Sequence, residues 1–434
     1  MRAKRSWEGA GSTVRIAFKT FGCKANSLDT DALYFEAKKR GFEVVGEDER
    51  ADAYVINSCT VTHHADRDAR AQIGRFKRQN PGAVVAVVGC YAQVAKEELL
   101  SIPEVDIVVG TAEKFSVLDH FTAAADRDSV AKASGFLPEQ FLGSRNARAS
   151  VKIQDGCNFK CSFCIIPQAR GRSISLSAET AIAQVEEASR LGFREVVLTG
   201  IHLAHYGWDK KTDLVDLVRK LLEKDTGPRI RLSTLDPFEI PDVFIDWLGD
   251  KKRLCPHFHI ALQSGSNRIL QKMRRFYGSE EFVEITHRIH NKNKDTFIGV
   301  DVIVGFPGEG ETEFNETLKC LEHSHWTKLH VFPFSLRKGT AAENLQGRVP
   351  DCAISERSKI LRALSERRYQ TFLESQIGSM REVLLERPSK KHLSIWLGHT
   401  ENYLPTYAMA PHGEAKQLFS SRVTRVERDR VWVD

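Results

Sequence analysis

Two long stretches of the chain alternate short apolar runs with segments of helical length, and this alternation restricts the possible folds most strongly. In the first stretch, residues 13–120, the apolar runs are Val14–Lys19, Ala53–Asn57 and Val84–Gly89. Runs of this length between turn or cap residues are typical of buried strands. Strands that alternate with helices favour a parallel sheet covered by helices. The first stretch therefore predicts a small doubly wound parallel sheet.

A cysteine follows each of these three predicted strands. The residues are Cys23, Cys59 and Cys90. Because ligands of open α/β sheets bind beyond the carboxyl ends of the strands, the three thiols are expected to meet at one edge of the sheet. A single cysteine in such a position is more often an inert buried residue. Three at the same topological position favour a cluster held by three thiolates.

The second stretch, residues 149–375, contains six further strand-like runs, most of them followed by helical segments. Repeated units of this kind predict parallel strands that curl into a full or partial (β/α)6 barrel. Active sites of such barrels lie at the carboxyl ends of the strands. The runs are Val151–Asp155, Glu195–Thr199, Ile230–Thr234, Phe258–Leu262, Phe297–Val304 and Leu329–Phe334.

The first of these runs leads into a C-x₃-C-x₂-C motif formed by Cys157, Cys161 and Cys164. Three thiolates at this spacing can hold three irons of a [4Fe–4S] cluster, because soft thiolates are the ligands that such clusters need. The fourth iron then stays open to another ligand. Three structural cysteines, or a zinc site short of one ligand, are the alternatives. Zinc motifs usually pair C-x₂-C units and supply four ligands, which argues against zinc.

Two further segments complete the chain. Residues 121–148 are rich in alanine, serine and charged residues and are interpreted as a linker. Residues 376–434 contain short alternating runs that predict a small antiparallel β-barrel of OB-like character, a fold suited to nucleic-acid binding. Nine Lys/Arg against seven Asp/Glu in this segment do not prove that role, and a barrel that only caps the preceding domain is the alternative.

The composition is that of a globular protein, with 41% hydrophobic and 28% charged residues and a net charge of +6. No run approaches the ~18 apolar residues that cross a bilayer. Nine cysteines, an odd number, do not resemble a disulfide framework, so a cytoplasmic location is predicted. Basic residues cluster on a predicted helix between Arg67 and Arg78 and again between Arg268 and Arg275. Each cluster alone is interpreted as a solvated helix face.

Several strings carry a resemblance to a known family along nearly the whole chain. They include Cys164-Ile-Ile-Pro167, His259-Ile-Ala-Leu-Gln-Ser-Gly-Ser266, Asp301-Val-Ile-Val-Gly-Phe-Pro-Gly-Glu309 and Gly398-His-Thr-Glu-Asn-Tyr-Leu-Pro405. Together with the six cysteines they resemble the radical SAM methylthiotransferases. The resemblance implies an N-terminal cluster domain over 13–120, a radical SAM domain over 149–375 and an RNA-binding TRAM-like barrel over 376–434.

The resemblance also implies the cofactors and the chemistry. Two [4Fe–4S] clusters are expected, one on the cysteines at 157, 161 and 164 and one on those at 23, 59 and 90. The first would reduce S-adenosylmethionine to a 5′-deoxyadenosyl radical, and the second would carry the sulfur that a second S-adenosylmethionine methylates. A reductant protein such as flavodoxin or ferredoxin and a sulfur source are the expected partners. Phe163 is expected to contact the adenine of S-adenosylmethionine. Residues expected at strand ends near its other groups are Thr199, Gly200, Gln263, Ser264 and Asp301. His202 has two interpretations, a site residue or a hydrogen-bonded structural histidine.

Within this family, three strings resemble the branch that acts on N6-threonylcarbamoyladenosine at position 37 of tRNA: Gly22-Cys-Lys-Ala-Asn26, Asn57-Ser-Cys-Thr-Val-Thr62 and Leu198-Thr-Gly-Ile-His-Leu203. Departures from the common family pattern occur at Ala25, Ala261 and Gly310. Sibling branches act on isopentenyladenosine of tRNA or on an aspartate of ribosomal protein S12. An iron–sulfur RNA-binding protein without catalysis is the alternative from a different class. All six cluster cysteines are present, which argues against it.

Overall fold

The computed structural model describes residues 13–121, 128–129, 131–141, 143–224 and 226–434. The chain divides into two compact units. Unit 1 comprises Met1–Gly143, Gln154–Leu176 and Ser335–Glu343, and unit 2 comprises Ser144–Ile153, Ser177–Phe334 and Asn344–Asp434. Residues 122–127, 130 and 142 of the predicted linker, and residues 1–12, lie outside the described residues. The domain boundaries given above stay predictions.

The secondary structure alternates strands and helices as far as residue 375 and then becomes entirely β. The strands are β1 (Arg15–Thr20), β2 (Glu43–Val45), β3 (Ala53–Ser58), β4 (Val84–Gly89), β5 (Ile107–Val109), β6 (Asp128–Ser129), β7 (Ala149–Lys152), β8 (Gln154–Asp155), β9 (Ile174–Ser175), β10 (Glu195–Thr199), β11 (Arg229–Leu232), β12 (Thr234–Leu235), β13 (His257–Gln263), β14 (Phe297–Val304), β15 (Lys328–Pro333), β16 (Met380–Pro388), β17 (Ile395–Thr400), β18 (Pro405–Met409), β19 (Leu418–Glu427) and β20 (Arg430–Val433). The helices are α1 (Lys24–Lys39), α2 (His63–Gln79), α3 (Cys90–Val94), α4 (Lys96–Leu100), α5 (Ile166–Arg170), α6 (Ala178–Arg190), α7 (Leu214–Glu223), α8 (Asp242–Asp246), α9 (Asn267–Lys272), α10 (Ser279–Lys292), α11 (Glu311–Glu322) and α12 (Asp351–Ser375). Short 3₁₀ turns span Lys114–Phe121, Leu203–His205, Pro237–Glu239 and Ala341–Asn344.

Unit 1 contains the predicted doubly wound sheet. Its six strands run parallel in the order β2-β1-β3-β4-β5-β6. β3 and β4 are the central strands, and all six residues of β3 are buried. The strand order reverses between β1 and β3, which makes the carboxyl end of these two strands the topological switch point where ligands bind in such sheets. The antiparallel pair β8 and β9 also belongs to unit 1.

Unit 2 begins with the predicted partial barrel. One parallel sheet has the order β11-β10-β7 and the other has the order β12-β13-β14-β15. Only Ser233 separates β11 from β12, so the predicted run Ile230–Thr234 is a strand broken at one residue. Helix α6 begins after Ser177, whose hydroxyl caps the helix by accepting a hydrogen bond from the amide of Thr180 at 3.1 Å.

The C-terminal strands form the predicted small closed barrel, in the order β16-β17-β18-β20-β19. Four of its strand pairs are antiparallel, and β18 pairs with β20 in parallel. A buried ion network attaches this barrel to the amino ends of β10 and β11. Glu195 accepts hydrogen bonds from Arg229 and Arg231, each at 2.7 Å, and Arg229 also donates to the carbonyl of Glu382 at 2.7 Å. The barrel therefore covers charges that would otherwise lie at the surface of the preceding sheet.

None of the helices in the described ranges combines the length and the apolar character that a bilayer crossing requires. The longest of them, α12, has 25 residues but carries charged side chains along its length.

Candidate active site

Three cysteines lie at the carboxyl edge of the unit 1 sheet. Cys23 is the N-cap of α1 and follows β1, Cys59 follows β3, and Cys90 begins α3 directly after β4. Because β1, β3 and β4 are parallel neighbours, the three residues emerge at the same edge. Cys23 is exposed, whereas Cys59 and Cys90 are buried. This edge includes the topological switch point of the sheet.

The backbone at Gly22 packs directly against Cys59. Gly22 has φ +116°, and a Cβ placed there would lie 2.4 Å from the Cβ and 2.9 Å from the Sγ of Cys59. Only glycine suits such a close approach in this conformation. Burial, together with the neighbouring thiols of Cys90 and Cys23, raises the pKa of Cys59 to about 12. Three thiolates this close together need a cationic partner, and iron in a cluster supplies one.

A fully buried arginine connects this edge with the loop that carries the other three cysteines. Arg170 donates from Nη1 to both carboxylate oxygens of Asp155, at 2.8 and 3.0 Å. Its Nη2 donates to Asn26 Oδ1 at 2.5 Å and to Asp29 Oδ2 at 3.1 Å. Burial alone would lower the pKa of Arg170, but Asp155, Cys90 and Asp29 raise it well above its ordinary value. The guanidinium is therefore a fixed positive charge beside the thiols.

The C-x₃-C-x₂-C motif forms a compact loop after β8. Cys157 donates its amide hydrogen to the carbonyl of Gly171 at 3.1 Å, and Cys164 donates to the carbonyl of Cys161 at 3.1 Å. Gly156 has φ +73°, and a Cβ there would lie 2.1 Å from the carbonyl oxygen of Arg172. All three cysteines are partly exposed. The turn therefore presents three thiols from one short segment, within the same compact unit as the other three.

The segment Ser335–Glu343 holds both cysteine loops of unit 1. Arg337 donates from Nη2 to Thr60 Oγ1 and to Asp66 Oδ2, each at 2.6 Å, just after Cys59 in the chain. The amide of Ala342 donates to the carbonyl of Ser162 at 2.7 Å, between two cysteines of the motif. The sequence alone gave no sign of these contacts.

The residues predicted near S-adenosylmethionine lie in three settings. Phe163 is half-buried in the cysteine loop of unit 1. Thr199 and Gly200 lie at the end of β10, and the Thr199 hydroxyl is buried with no hydrogen-bond partner among the described residues. Gln263 ends β13 with φ +63°, a strained conformation for a residue with a side chain, and Ser264 follows it. A buried hydroxyl without a partner and a strained strand end both fit a site that binds a polar ligand.

The strand-end position expected for Asp301 is wrong. Asp301 is the fifth of eight residues in β14, and its carboxylate lies 2.7 Å from the Nε2 of His259 on the neighbouring strand. The β14 strand extends three residues beyond Asp301, because its pairing with β15 continues to Val304. Any contact of Asp301 with a ligand therefore comes from within the sheet rather than from its edge.

A group of ionisable residues that was not predicted from the sequence surrounds His202. The Nε2 of His202 contacts the carboxylate of Glu239 and lies 3.6 Å from Asp236 Oδ2, while the Nε2 of His205 lies 3.3 Å from Glu239 Oε1. Burial alone would raise the pKa of Glu239, but the hydrogen bonds with His202 and His205 hold it at about 2. Asp236 forms an ion pair with Arg275. The signal in the sequence was the spacing of two histidines three residues apart after a strand.

Comparisons with known proteins agree with these features. The model described as "Uncharacterized protein family UPF0004" matches residues 15–110, and that of the radical SAM superfamily matches residues 151–321. The threonylcarbamoyladenosine tRNA methylthiotransferase MtaB of Aquifex aeolicus is 39% identical over 382 residues, which cover 86% of this chain and 93% of the relative. A tRNA-2-methylthio-N(6)-dimethylallyladenosine synthase of Syntrophotalea carbinolica is 31% identical and covers 88% of this chain and 90% of the relative.

A solved structure resembles the fold. The radical S-adenosylmethionine methyltransferase TsrM from Kitasatospora setae, with cobalamin and a [4Fe–4S] cluster bound, superposes with a TM-score of 0.55 at 14% identity, covering 76% of this chain and 77% of that chain. Fold and cysteine motif together define a radical SAM protein. The chain belongs to the radical SAM methylthiotransferases, in the MtaB branch.

Membership of this family implies S-adenosylmethionine and an iron–sulfur cluster as cofactors. The residues present fit that requirement. The donors are thiols, the ligands that iron–sulfur clusters use. The close packing at Gly22 fixes the position of Cys59, and the charge of Arg170 lies where thiolates would concentrate negative charge.

Proposed function

We propose that the protein methylthiolates C2 of N6-threonylcarbamoyladenosine at position 37 of tRNA, using one S-adenosylmethionine as methyl donor and one as radical source. The observation that carries the proposal is that all six predicted cluster cysteines belong to one compact unit, with Arg170 bonded to both loops. The threonylcarbamoyl substrate is favoured over isopentenyladenosine because the relative that bears the former name is 39% identical and the one that bears the latter name is 31% identical.

In this proposal Cys157, Cys161 and Cys164 hold one [4Fe–4S] cluster, which when bound supplies the electron for reductive cleavage of S-adenosylmethionine. Phe163 contacts the adenine. The residues proposed to bind the remaining groups are Thr199, Gly200, Gln263, Ser264 and Asp301. The Thr199 hydroxyl is a candidate donor because burial leaves it unsatisfied without a ligand.

A second [4Fe–4S] cluster is proposed on Cys23, Cys59 and Cys90, where it would supply the sulfur. The support is the shared sheet edge, together with the pKa of Cys59, which is raised first by burial and then by the neighbouring Cys90 and Cys23. A reductant such as flavodoxin or ferredoxin and a separate sulfur source are the partners that this chemistry needs. The division into a cluster domain (13–120), a radical SAM domain (149–375) and a TRAM-like barrel (376–434), and the cytoplasmic location, stay predictions.

The first experiment expresses the chain in a bacterial strain that lacks its own methylthiotransferases and analyses digested tRNA by mass spectrometry. Methylthio-threonylcarbamoyladenosine is expected with the wild type. Cys157→Ala should abolish both this product and the cleavage of S-adenosylmethionine under dithionite. The matched control is Cys352→Ala, because Cys352 is exposed in the first turn of α12. This control should retain both activities.

The alternatives predict different products in the same experiment. Detection of methylthio-isopentenyladenosine would support the same reaction on a different substrate. If neither nucleoside appears and ribosomal protein S12 is methylthiolated, the substrate is a protein rather than tRNA. Intact clusters without any cleavage of S-adenosylmethionine would support the RNA-binding protein without catalysis and refute the proposal.

The small barrel is proposed to contact the tRNA backbone. Deleting 376–434 is a poor test, because the buried guanidinium of Arg229 donates to a carbonyl of that barrel. Exposed Lys390 and Lys391, between β16 and β17, offer a cleaner change. Replacing both with glutamate should weaken tRNA binding and lower the salt-dependence slope by about 2. The control reverses the charges of Lys251 and Lys252, another exposed adjacent pair, and should bind like the wild type. If both variants bind tRNA with equal affinity, the barrel has a structural role rather than a role in tRNA binding.

A further inference from the structure

Two histidines and a glutamate in unit 2 direct their ligand atoms toward one point. His202 and His205 follow β10, and Glu239 follows β12, so all three lie beyond the carboxyl ends of parallel strands. One ligand atom of each residue lies within 4.8 Å of those of the other two. The Nε2 of His205 is 3.3 Å from one carboxylate oxygen of Glu239, and the Nε2 of His202 contacts the other oxygen.

The local backbone fixes the two imidazoles side by side. The 3₁₀ turn Leu203–His205 has His202 as its N-cap, and in such a turn side chains three residues apart lie on the same side. The rings of His202 and His205 are stacked with centroids 3.7 Å apart and planes 20° apart. Trp208, three residues further on, stacks on His205 with centroids 3.5 Å apart. Ring stacking and burial therefore orient both Nε2 atoms before any ligand binds.

Two imidazoles and one carboxylate are a donor set that binds Zn²⁺ with an open coordination position, and also non-haem Fe²⁺. Asp236 Oδ2 lies 3.6 Å from the Nε2 of His202, and the ion pair of Asp236 with Arg275 holds that carboxylate in place. Asp236 therefore places a second carboxylate near the same ring nitrogen of His202. A hydrogen-bonded His–Glu–His group without a metal is the competing explanation.

We propose that His202, His205 and Glu239 bind one divalent transition-metal ion, separate from any iron–sulfur cluster and with at least one position open to water or an oxygen ligand. None of the three residues is a proposed cluster ligand, so metal uptake at this site can be measured separately from methylthiolation.

The first test incubates the reconstituted holoenzyme with Zn²⁺ without oxygen, removes unbound metal and records the zinc K-edge absorption spectrum. We expect about one zinc per chain with only nitrogen and oxygen neighbours at about 2.0–2.2 Å. Zinc that occupied cysteine sites would instead show sulfur neighbours at about 2.3 Å. A wild-type enzyme that takes up no zinc, or only zinc with sulfur neighbours, would overturn the proposal.

Variants then assign the ion to these residues. His205→Gln and Glu239→Gln each remove one ligand atom while keeping a polar side chain, and each should weaken zinc binding about 100-fold or more, since loss of outer partners alone costs roughly 10–100-fold. His412→Gln is the control, because His412 is exposed in the loop between β18 and β19. Zinc should raise the melting temperature of the wild type and of this control but not of the ligand variants.

Two results separate this site from the function proposed above. Zinc uptake with nitrogen and oxygen neighbours in an enzyme that forms no methylthio product would support the metal site and contradict only the proposed function. Unchanged zinc affinity in both His205→Gln and Glu239→Gln would show that these residues form a hydrogen-bonded structural group. The same measurements with Fe²⁺ distinguish the two candidate ions.

Discussion

The substitution Gly22→Ala tests the proposed sulfur-carrying cluster without removing any ligand. A methyl group at Gly22 would lie 2.4 Å from the Cβ of Cys59, whereas carbon atoms in contact are normally about 3.5–4.0 Å apart. Cys59 must therefore move by about 1 Å, while metal–ligand distances are held to about 0.2 Å. The thiol that this packing positions would no longer reach its iron.

A second glycine separates this clash from backbone strain. Gly41 also has a positive φ, +85°, but a Cβ there meets nothing within 4 Å. Both substitutions place alanine in a disfavoured conformation, at a cost of about 1–3 kcal/mol. Only the one at Gly22 also displaces a cysteine. Gly41→Ala is therefore the matched control for destabilisation.

The assay counts iron and acid-labile sulfide after reconstitution, and measures both S-adenosylmethionine cleavage and methylthio product. If each site holds a [4Fe–4S] cluster, the iron content of Gly22→Ala should be about four per chain instead of about eight. This variant should still cleave S-adenosylmethionine but form no methylthio product. Gly41→Ala should keep the full iron content, the cleavage of S-adenosylmethionine and the methylthio product. Eight irons and normal product in Gly22→Ala would refute the assignment of Cys59 as a ligand. Cleavage by the variant also establishes that the protein has folded.

Three further predictions concern the charges and hydroxyls of the two units. Arg170→Met should lower the free energy of unfolding by about 3–5 kcal/mol, because it leaves Asp155 buried without its cation, whereas Arg172→Met at an exposed position should change it by less than about 0.5 kcal/mol in denaturant titrations. Burial lowers the pKa of His399, so the unfolded chain binds the proton more tightly and stability should fall as the pH drops below about 6.5. His399→Asn should remove that part of the slope, and an unchanged slope between pH 5 and 7 would contradict the argument. Thr199→Val should weaken S-adenosylmethionine binding by about 3–10-fold without loss of stability, while Thr199→Ser should bind normally, as measured by equilibrium dialysis.

Local patterns predicted most of the secondary structure and the positions of the cysteines. The predicted strand Val14–Lys19 is Arg15–Thr20 in the structure, and Val84–Gly89 is the same in both. Strand ends could be located because apolar β-branched runs and the glycines or cysteines after them are adjacent in sequence. The location of Cys23, Cys59 and Cys90 at one edge then followed from the parallel arrangement of the strands.

Features that depend on distant segments could not be predicted in this way. Asp301 contacts His259 because two strands pair in a particular register, and no property of either residue indicates that register. Glu239 meets His202 because the turns after β10 and β12 lie together. The parallel pairing of β18 with β20 likewise depends on how the barrel closes, which the sequence of neither strand indicates.

The three-segment composition of unit 1 has a consequence for the timing of synthesis. Ser335 lies 192 residues after Gly143, so at about 5–20 residues per second the ribosome delivers the last segment of the unit about 10–40 s after the first. Until Arg337 emerges, Thr60 and Asp66 lack the partner that holds the loop after Cys59. The nascent chain therefore exposes its first three thiols well before their surroundings can form. If these thiols hold the proposed second cluster, they need to stay reduced during that interval, and the cluster is expected to be loaded after translation.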